Sequence, residues 1–339
     1  MNCQRNILIF VFICVSNLFF SQDIHFSQFD ASLLNLSPAY TGLFDGDYRF
    51  SSVYRSQWSA VPVSYSTFNF NAEGRYLPNL RKSDRVGIGL MFNSDKAGDS
   101  GYGTNQIYLS GSYSHYLKAD SSLLFSYGAN IGFCSVGFDY SKMTFDSQYS
   151  DGLGFNRTIT SGENFARTRK NYADFNLGFA LQYVFNKINK LTFATSAHHL
   201  SRPNINYQGT EVSRLDIKTT NCISFTRPIS SKIDIITEAL LNFQGKNYEL
   251  IPHLSFKYYT NKFENQAILA GMCWRSRDAF IFRLGYQVQS FQSGVAYDIN
   301  ISKFNAATNR RGAFELFVNY IIKSKPGFVA KKRQCPSFM

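Results

Sequence analysis

Charge is scarce in this sequence. Asp, Glu, Lys and Arg together make up 17% of its 339 residues, against roughly a quarter in ordinary soluble domains. Beyond the N-terminal region there is no run of about 18 apolar residues, which excludes a transmembrane helix. Cysteine occurs six times, never as C-x-x-C or in another metal-ligand spacing, so a zinc site is not indicated. Cys134, Cys222, Cys273 and Cys335, all beyond the N-terminal segment, read as isolated packing residues. There are only five histidines. His198 and His199 are adjacent within one extended run and are expected on opposite faces, unable to share a metal. No Ser, His and Asp share a face at a spacing that singles out a triad. These absences point to a non-enzyme with no cofactor and no metal. The net charge of +12 is not gathered into a patch of the nucleic-acid type.

Aromatic residues, by contrast, are abundant, with 33 Phe and 21 Tyr making up most of an aromatic share of 17%. Their placement has period two. From Tyr65 to Tyr76 one face reads Ser66, Phe68, Phe70, Ala72 and the other Thr67, Asn69, Asn71, Glu73. From Ala173 to Phe185, Phe175, Leu177, Phe179 and Leu181 alternate with Asp174, Asn176, Gly178 and Ala180. Such strands set one side against hydrocarbon and the other against water.

Runs of this kind fall at 48–58, 64–76, 85–94, 105–117, 121–134, 172–185, 189–200, 215–227, 232–243, 248–260, 265–275, 279–290, 291–302 and 312–323. They predict an all-β chain of about 14 strands, each close to the roughly 9–11 residues a tilted strand needs to cross a bilayer. A β-sandwich would use shorter strands, of about 5–6 residues. The connections alternate. Those at 118–120, 186–188, 228–231 and 261–264 are brief, while those at 94–104, 135–171, 201–214 and 303–311 are mostly longer. Segment 77–84 is long for a turn and 244–247 short for a loop. This parity is that of an outer-membrane antiparallel barrel with both ends in the periplasm.

The ends organise around that barrel. Residues 1–21 carry Arg5, a short apolar run and Ser21, the order of a cleaved signal peptide. Cys14 follows Ile13, which is not the small residue of a lipoprotein signal. The barrel is expected over 48–323 and a basic periplasmic tail over 324–339. Between signal and barrel, residues 22–47 are too irregular for strands. They hold Asn35-Leu36-Ser37-Pro38-Ala39-Tyr40-Thr41-Gly42, in which Pro fixes φ and Gly tolerates φ > 0. A barrel of this size has room for a plug, so Pro38, Ala39, Tyr40 and Gly42 are expected to form its turn. The alternative is a periplasmic extension under the rim.

The inward faces carry charge of both signs: Arg49, Arg55, Glu73, Arg75, Asp174, Asp234, Glu238, Lys257, Arg283, Asp298 and Glu315. Bare charge in a low-dielectric lumen is costly, so ion-pair networks are expected. His199 is expected to act structurally at a strand end.

Six motifs occur in order: 22–42, "YRSQWSAVP" (54–62), "HHLSRP" (198–203), "WRSRDAF" (274–280), "YDINIS" (297–302) and "FELFVNY" (314–320). Together they resemble the PorP/SprF family of outer-membrane proteins of the type IX secretion system. The resemblance implies a non-enzymatic component for secretion or surface docking of large adhesins, in some members for gliding motility. Its implied partners are membrane lipid, an adhesin with a type IX C-terminal sorting domain, and periplasmic secretion or peptidoglycan-linked components. The motifs contain Arg55, Trp58, His199, Arg275, Asp278, Asp298 and Glu315, which become candidates for lumen or partner contacts. Ser37 stands where the family pattern has Asn. The outer loop with Arg157, Arg167, Arg169 and Lys170 is a candidate tether for an adhesin. The Pro-Ala turn is also similar to the hatch of fatty-acid-transporter barrels, so the alternative is a FadL-like transporter of small hydrophobic molecules. A general porin comes third.

Overall fold

The computed structural model describes residues 23–58, 64–76, 84–150, 154–207, 212–303 and 305–323. The expected signal peptide, the basic tail, Cys335 and most of the segment 77–84 lie outside them.

Fourteen antiparallel strands close into a barrel. They are β1 (Tyr48–Gln57), β2 (Tyr65–Tyr76), β3 (Arg85–Ala97), β4 (Tyr102–Tyr116), β5 (Leu123–Gly137), β6 (Arg169–Phe185) and β7 (Asn189–His198). There follow β8 (Lys218–Pro228), β9 (Ile233–Gln244), β10 (Asn247–Asn261), β11 (Gln266–Arg275), β12 (Ala279–Val288), β13 (Phe291–Asn300) and β14 (Arg311–Ile322). Each strand pairs with its sequence neighbours, and β14 returns to β1, with Tyr48 opposite Ile322 and Gln57 opposite Ala313. Closure satisfies every ladder and leaves no edge, the condition for a strand structure in lipid.

The alternation holds through the wall. On β2, Phe68 and Phe70 point outward, while Asn69 and Asn71 point inward at 0% exposure. On β5 and β12, Ile131, Phe133, Phe280 and Phe282 all stand on the outer surface. Several strands run further than their apolar pattern. Asp95 and Lys96 continue β3 opposite Thr104 and Gly103 of β4, so the loop expected at 94–104 shrinks to 98–101. Polar residues hide such extensions, because beyond the hydrocarbon both strand faces are wet.

Strands β4, β6, β8, β10 and β12 end in short connections at 117–122, 186–188, 229–232, 262–265 and 289–290, at the end that also holds Tyr48 and Ile322. This is called the turn end. The opposite, loop end carries 138–168, 199–217 and 301–310. In outer-membrane barrels short turns face the periplasm and long loops the exterior.

Candidate functional site in the lumen

Residues 23–47 run through the barrel. Asp23 lies at the loop end, where its carboxylate is 3.3 Å from Lys218 Nζ and 3.2 Å from His199 Nε2. Asp47 lies at the turn end, its N–H donating to Ile322 O at 2.8 Å. Between them are a 3-10 turn at Phe29–Ala31, a helical turn at Leu33–Leu36 and a second 3-10 turn at Pro38–Tyr40. Phe29, Leu36, Ala39 and Tyr40 pack on small inward residues such as Ala180, Ala194 and Ala296. Phe26 and Ala31 pack on Val53 and Phe317, and Leu34 on Met91 and Tyr108. Apolar contact on three sides makes the segment a fixed part of the interior, each buried Phe or Leu adding about 1.5–3 kcal/mol.

The Ser37-Pro38-Ala39-Tyr40-Thr41-Gly42 turn is seated by missing side chains. Ser37 Oγ accepts from Ala39 N at 3.3 Å, supplying the cap of the turn. A Cβ on Gly87 of β3 would lie 2.2 Å from Thr41 O, and one on Gly128 of β5 would lie 2.5 Å from Pro38 O. The wall glycines therefore let backbone meet backbone. Wall hydroxyls hold what approaches: Ser126 Oγ donates to Ala39 O at 2.7 Å, Ser112 Oγ to Thr41 O at 2.6 Å and Ser196 Oγ to Leu36 O at 2.5 Å. Gly42 has φ +68°, and its N–H donates to Glu73 Oε2 at 3.0 Å. Arg49 pairs with the same carboxylate at 2.7 Å.

Toward the loop end five of the candidate residues converge. Arg55 of β1 is 1% exposed; its guanidinium lies 2.6 Å from Glu315 of β14 and 3.0 Å from Asp298 of β13. Arg275, at the end of β11, reaches Asp298 at 3.2 Å and Asp278 at 2.9 Å. Into this cluster the plug inserts Ser27. Its N–H donates to Glu315 at 2.7 Å, and its hydroxyl lies 2.9 Å from both Asp298 oxygens. The same hydroxyl accepts from Arg55 at 2.6 Å and from Arg275 at 2.5 Å. Gln28 N–H completes Glu315 at 2.8 Å. Buried charges are tolerable only when paired, and removing one partner of such a group costs about 3–5 kcal/mol.

Two further clusters tie the plug to the wall. His199 Nδ1 is 2.7 Å from Asp174, which also accepts from Tyr108 OH at 2.7 Å. Arg283 pairs with Asp30 of the plug at 2.7 Å, and His253 lies between Glu238 at 2.7 Å and Arg283 at 2.8 Å.

The expectation that His198 and His199 face opposite sides is wrong. His199 adopts φ 60°, which breaks the alternation as β7 ends, and both rings lie inside with centroids 6.4 Å apart. Trp58 stands apart from the five-residue cluster; it follows β1 with φ 55° and packs edge-on against Tyr65, centroids 4.9 Å apart. Sequence reasoning did not single out Ser27, Asp23, Asp30, Lys218 or Glu249, whose carboxylate lies 3.4 Å from Arg275 Nε. The available signal was the polar spacing of the plug against the inward charges, which has no periodicity to reveal it.

At the loop end, residues from the two longest connections meet, Arg167 N–H donating to Tyr207 O at 3.4 Å. Phe138 meets Phe165 and Tyr207 edge-on at 5.0 Å. Arg157, Arg167 and Arg169 are exposed on this surface.

The family described as type IX secretion system membrane protein PorP/SprF matches residues 18–320. No curated protein matches. Among solved structures, the toluene transporter TbuX of Ralstonia pickettii is similar in fold: TM-score 0.51 at 10% identity, over 86% of this chain and 92% of that one. A FadL homologue of Pseudomonas aeruginosa gives TM-score 0.49 at 10% identity, over 84% and 92%. The translocator domain of the autotransporter NalP from Neisseria meningitidis gives 0.44 at 10%, over 87% and 96%. At such identity the first of these speaks for the barrel fold alone. With the family match spanning nearly all of a closed, internally plugged barrel, the chain belongs to the PorP/SprF family of type IX secretion system membrane proteins.

Proposed function

We propose that this protein is an occluded outer-membrane docking component for large surface adhesins exported by the type IX system, including adhesins used in gliding. The observation that carries the reading is the buried Arg55–Asp298–Ser27–Glu315 cluster, which locks the plug across the lumen. A barrel closed in this way works at its two ends. The loop end offers a shaped surface rather than loose chain, because 138–168 is packed on Tyr207 through Phe138. Arg157, Arg167 and Arg169 provide exposed cationic groups there, suited to an acidic patch on a folded adhesin domain. The turn end faces periplasmic secretion or peptidoglycan-linked partners.

A transporter of small hydrophobic molecules would need an apolar pocket in the lumen. The larger turn-end cavity sets Asp30, Glu238 and Lys257 beside Leu269, Leu284 and Phe317, and charged groups in the lining penalise an apolar ligand. Their character weighs against transport. Deleting 138–168 while keeping the barrel folded should abolish adhesin display at the cell surface, measured by antibody binding to whole cells. Undiminished display would defeat the loop-docking reading.

A further inference from the structure

The plug fills the lumen unevenly. On the turn-end side a cavity of about 250 Å³ is bounded by Gln28 and Asp30 of the plug and by Ser224, Glu238 and Lys257 of the wall. A second, of about 170 Å³, meets it at Asp30, Ser224, Thr226 and Glu238 and extends to Thr192 and Lys190. Both exceed by several-fold the roughly 30 Å³ that one water occupies in the liquid.

The chemistry of the lining repeats that of the plug seat. Ser112, Ser126 and Ser196 use their hydroxyls to hold plug carbonyls. Thr192, Ser224 and Thr226 turn the same group into the cavities from β7 and β8, and those hydroxyls meet no hydrogen-bond partner among the described residues. At the closed end the side-chain amide of Gln28, 0% exposed, has neither its Nε2 nor its Oε1 bonded.

Charge selects the ligand. Asp30 pairs with Arg283 at 2.7 Å and Glu238 holds His253 at 2.7 Å; Asp234, opposite Lys257 in the ladder, accepts from the Tyr259 hydroxyl at 2.9 Å through one oxygen, its other oxygen being unbonded. Lys190 and Lys257 enter no ion pair among the described residues; the Lys257 ammonium lies over the Tyr259 ring, 4.9 Å from its centroid. One ammonium in each cavity, Lys257 in the first and Lys190 in the second, outside any salt bridge among the described residues, favours an anion, and the open hydroxyls beside them favour a peptide backbone over a small ion.

We propose that the turn-end half of the lumen binds an extended acidic peptide segment. Its carbonyls and N–H groups meet Thr192, Ser224, Thr226 and Gln28, and its carboxylates meet Lys190 and Lys257. The site is separate from the loop-end docking surface and stands without it.

The test uses the full chain in detergent micelles, titrated with a short dye-labelled peptide of alternating Glu and Ser and with its Lys/Ser counterpart. The acidic peptide should bind saturably and the basic one should not. Lys190→Gln combined with Lys257→Gln should weaken binding by about tenfold or more, the scale of one charge-assisted contact. Ser224→Trp, which fills the cavity without changing charge, should abolish it. Heat-modifiable migration in gels checks that each variant remains a folded barrel. Absence of saturable binding, or binding unchanged in both variants, overturns the proposal. So does displacement of the peptide by inorganic phosphate at equal affinity, the mark of an anion site alone, or tighter binding of an acidic polysaccharide.

Discussion

Ser27 Oγ sits 2.9 Å from each carboxylate oxygen of Asp298 across 271 residues of sequence. Because the same hydroxyl accepts from Arg55 and Arg275, it is the joint through which wall and plug share one charge cluster. Ser27→Ala removes a buried partner from three charged groups, and losses of this kind cost about 1–3 kcal/mol or more. The expected result is a lower denaturation midpoint, and faster amide exchange in residues 23–31, with the β-barrel spectrum retained.

The glycine seat makes a second prediction. A Cβ at position 128 would stand 2.5 Å from Pro38 O and 2.8 Å from Gly111 O, both backbone atoms that cannot swing aside. Gly128→Val should therefore expel the turn from its seat and raise single-channel conductance in planar bilayers. Wild type and a control, Gly111→Ala on β4 where a Cβ meets open space, should stay closed.

The direction of the plug is testable by labelling. Asp23 bonds to residues at the loop end, His199 and Lys218, whereas Asp45 bonds to Lys323 at the turn end. With loops outward, Asp23→Cys should react with a membrane-impermeant maleimide on intact cells. Asp45→Cys should react only after the outer membrane is permeabilised.

The Asp45–Lys323 contact also carries a pH dependence. Hydrogen bonding from Lys323 holds the Asp45 carboxyl below its ordinary value of 3.8. The contact therefore contributes fully above that value and is lost as pH falls through the lower folded value. Relative to Asp45→Asn, the wild type should show extra protection of the Asp47 amide at neutral pH, and the difference should vanish in strong acid.

Much of the wall was legible because a strand writes its two environments into alternate residues. Asn69, Asn71 and Glu73 on β2 and Asp174 and Asn176 on β6 all point inward as their period requires. The signal ends where the hydrocarbon ends: Asp95 and Lys96 continue β3 with no apolar partner face, and His199 leaves the alternation through its left-handed backbone. The plug contacts were not legible for a different reason. Ser27 and Glu315 are 288 residues apart, and nothing local at either position states that they meet. Arg55, Arg275, Asp278, Asp298 and Glu315 could be singled out through their motifs, whereas Gly87 and Gly128 gain meaning only once the turn is seen against them.

The most direct measurement is affinity purification of the tagged protein from detergent-solubilised outer membranes, with mass spectrometry of what accompanies it. The docking account predicts secretion-machine components or a giant surface adhesin in stoichiometric yield. A solitary barrel carrying only fatty acid or another small hydrophobic molecule would contradict it.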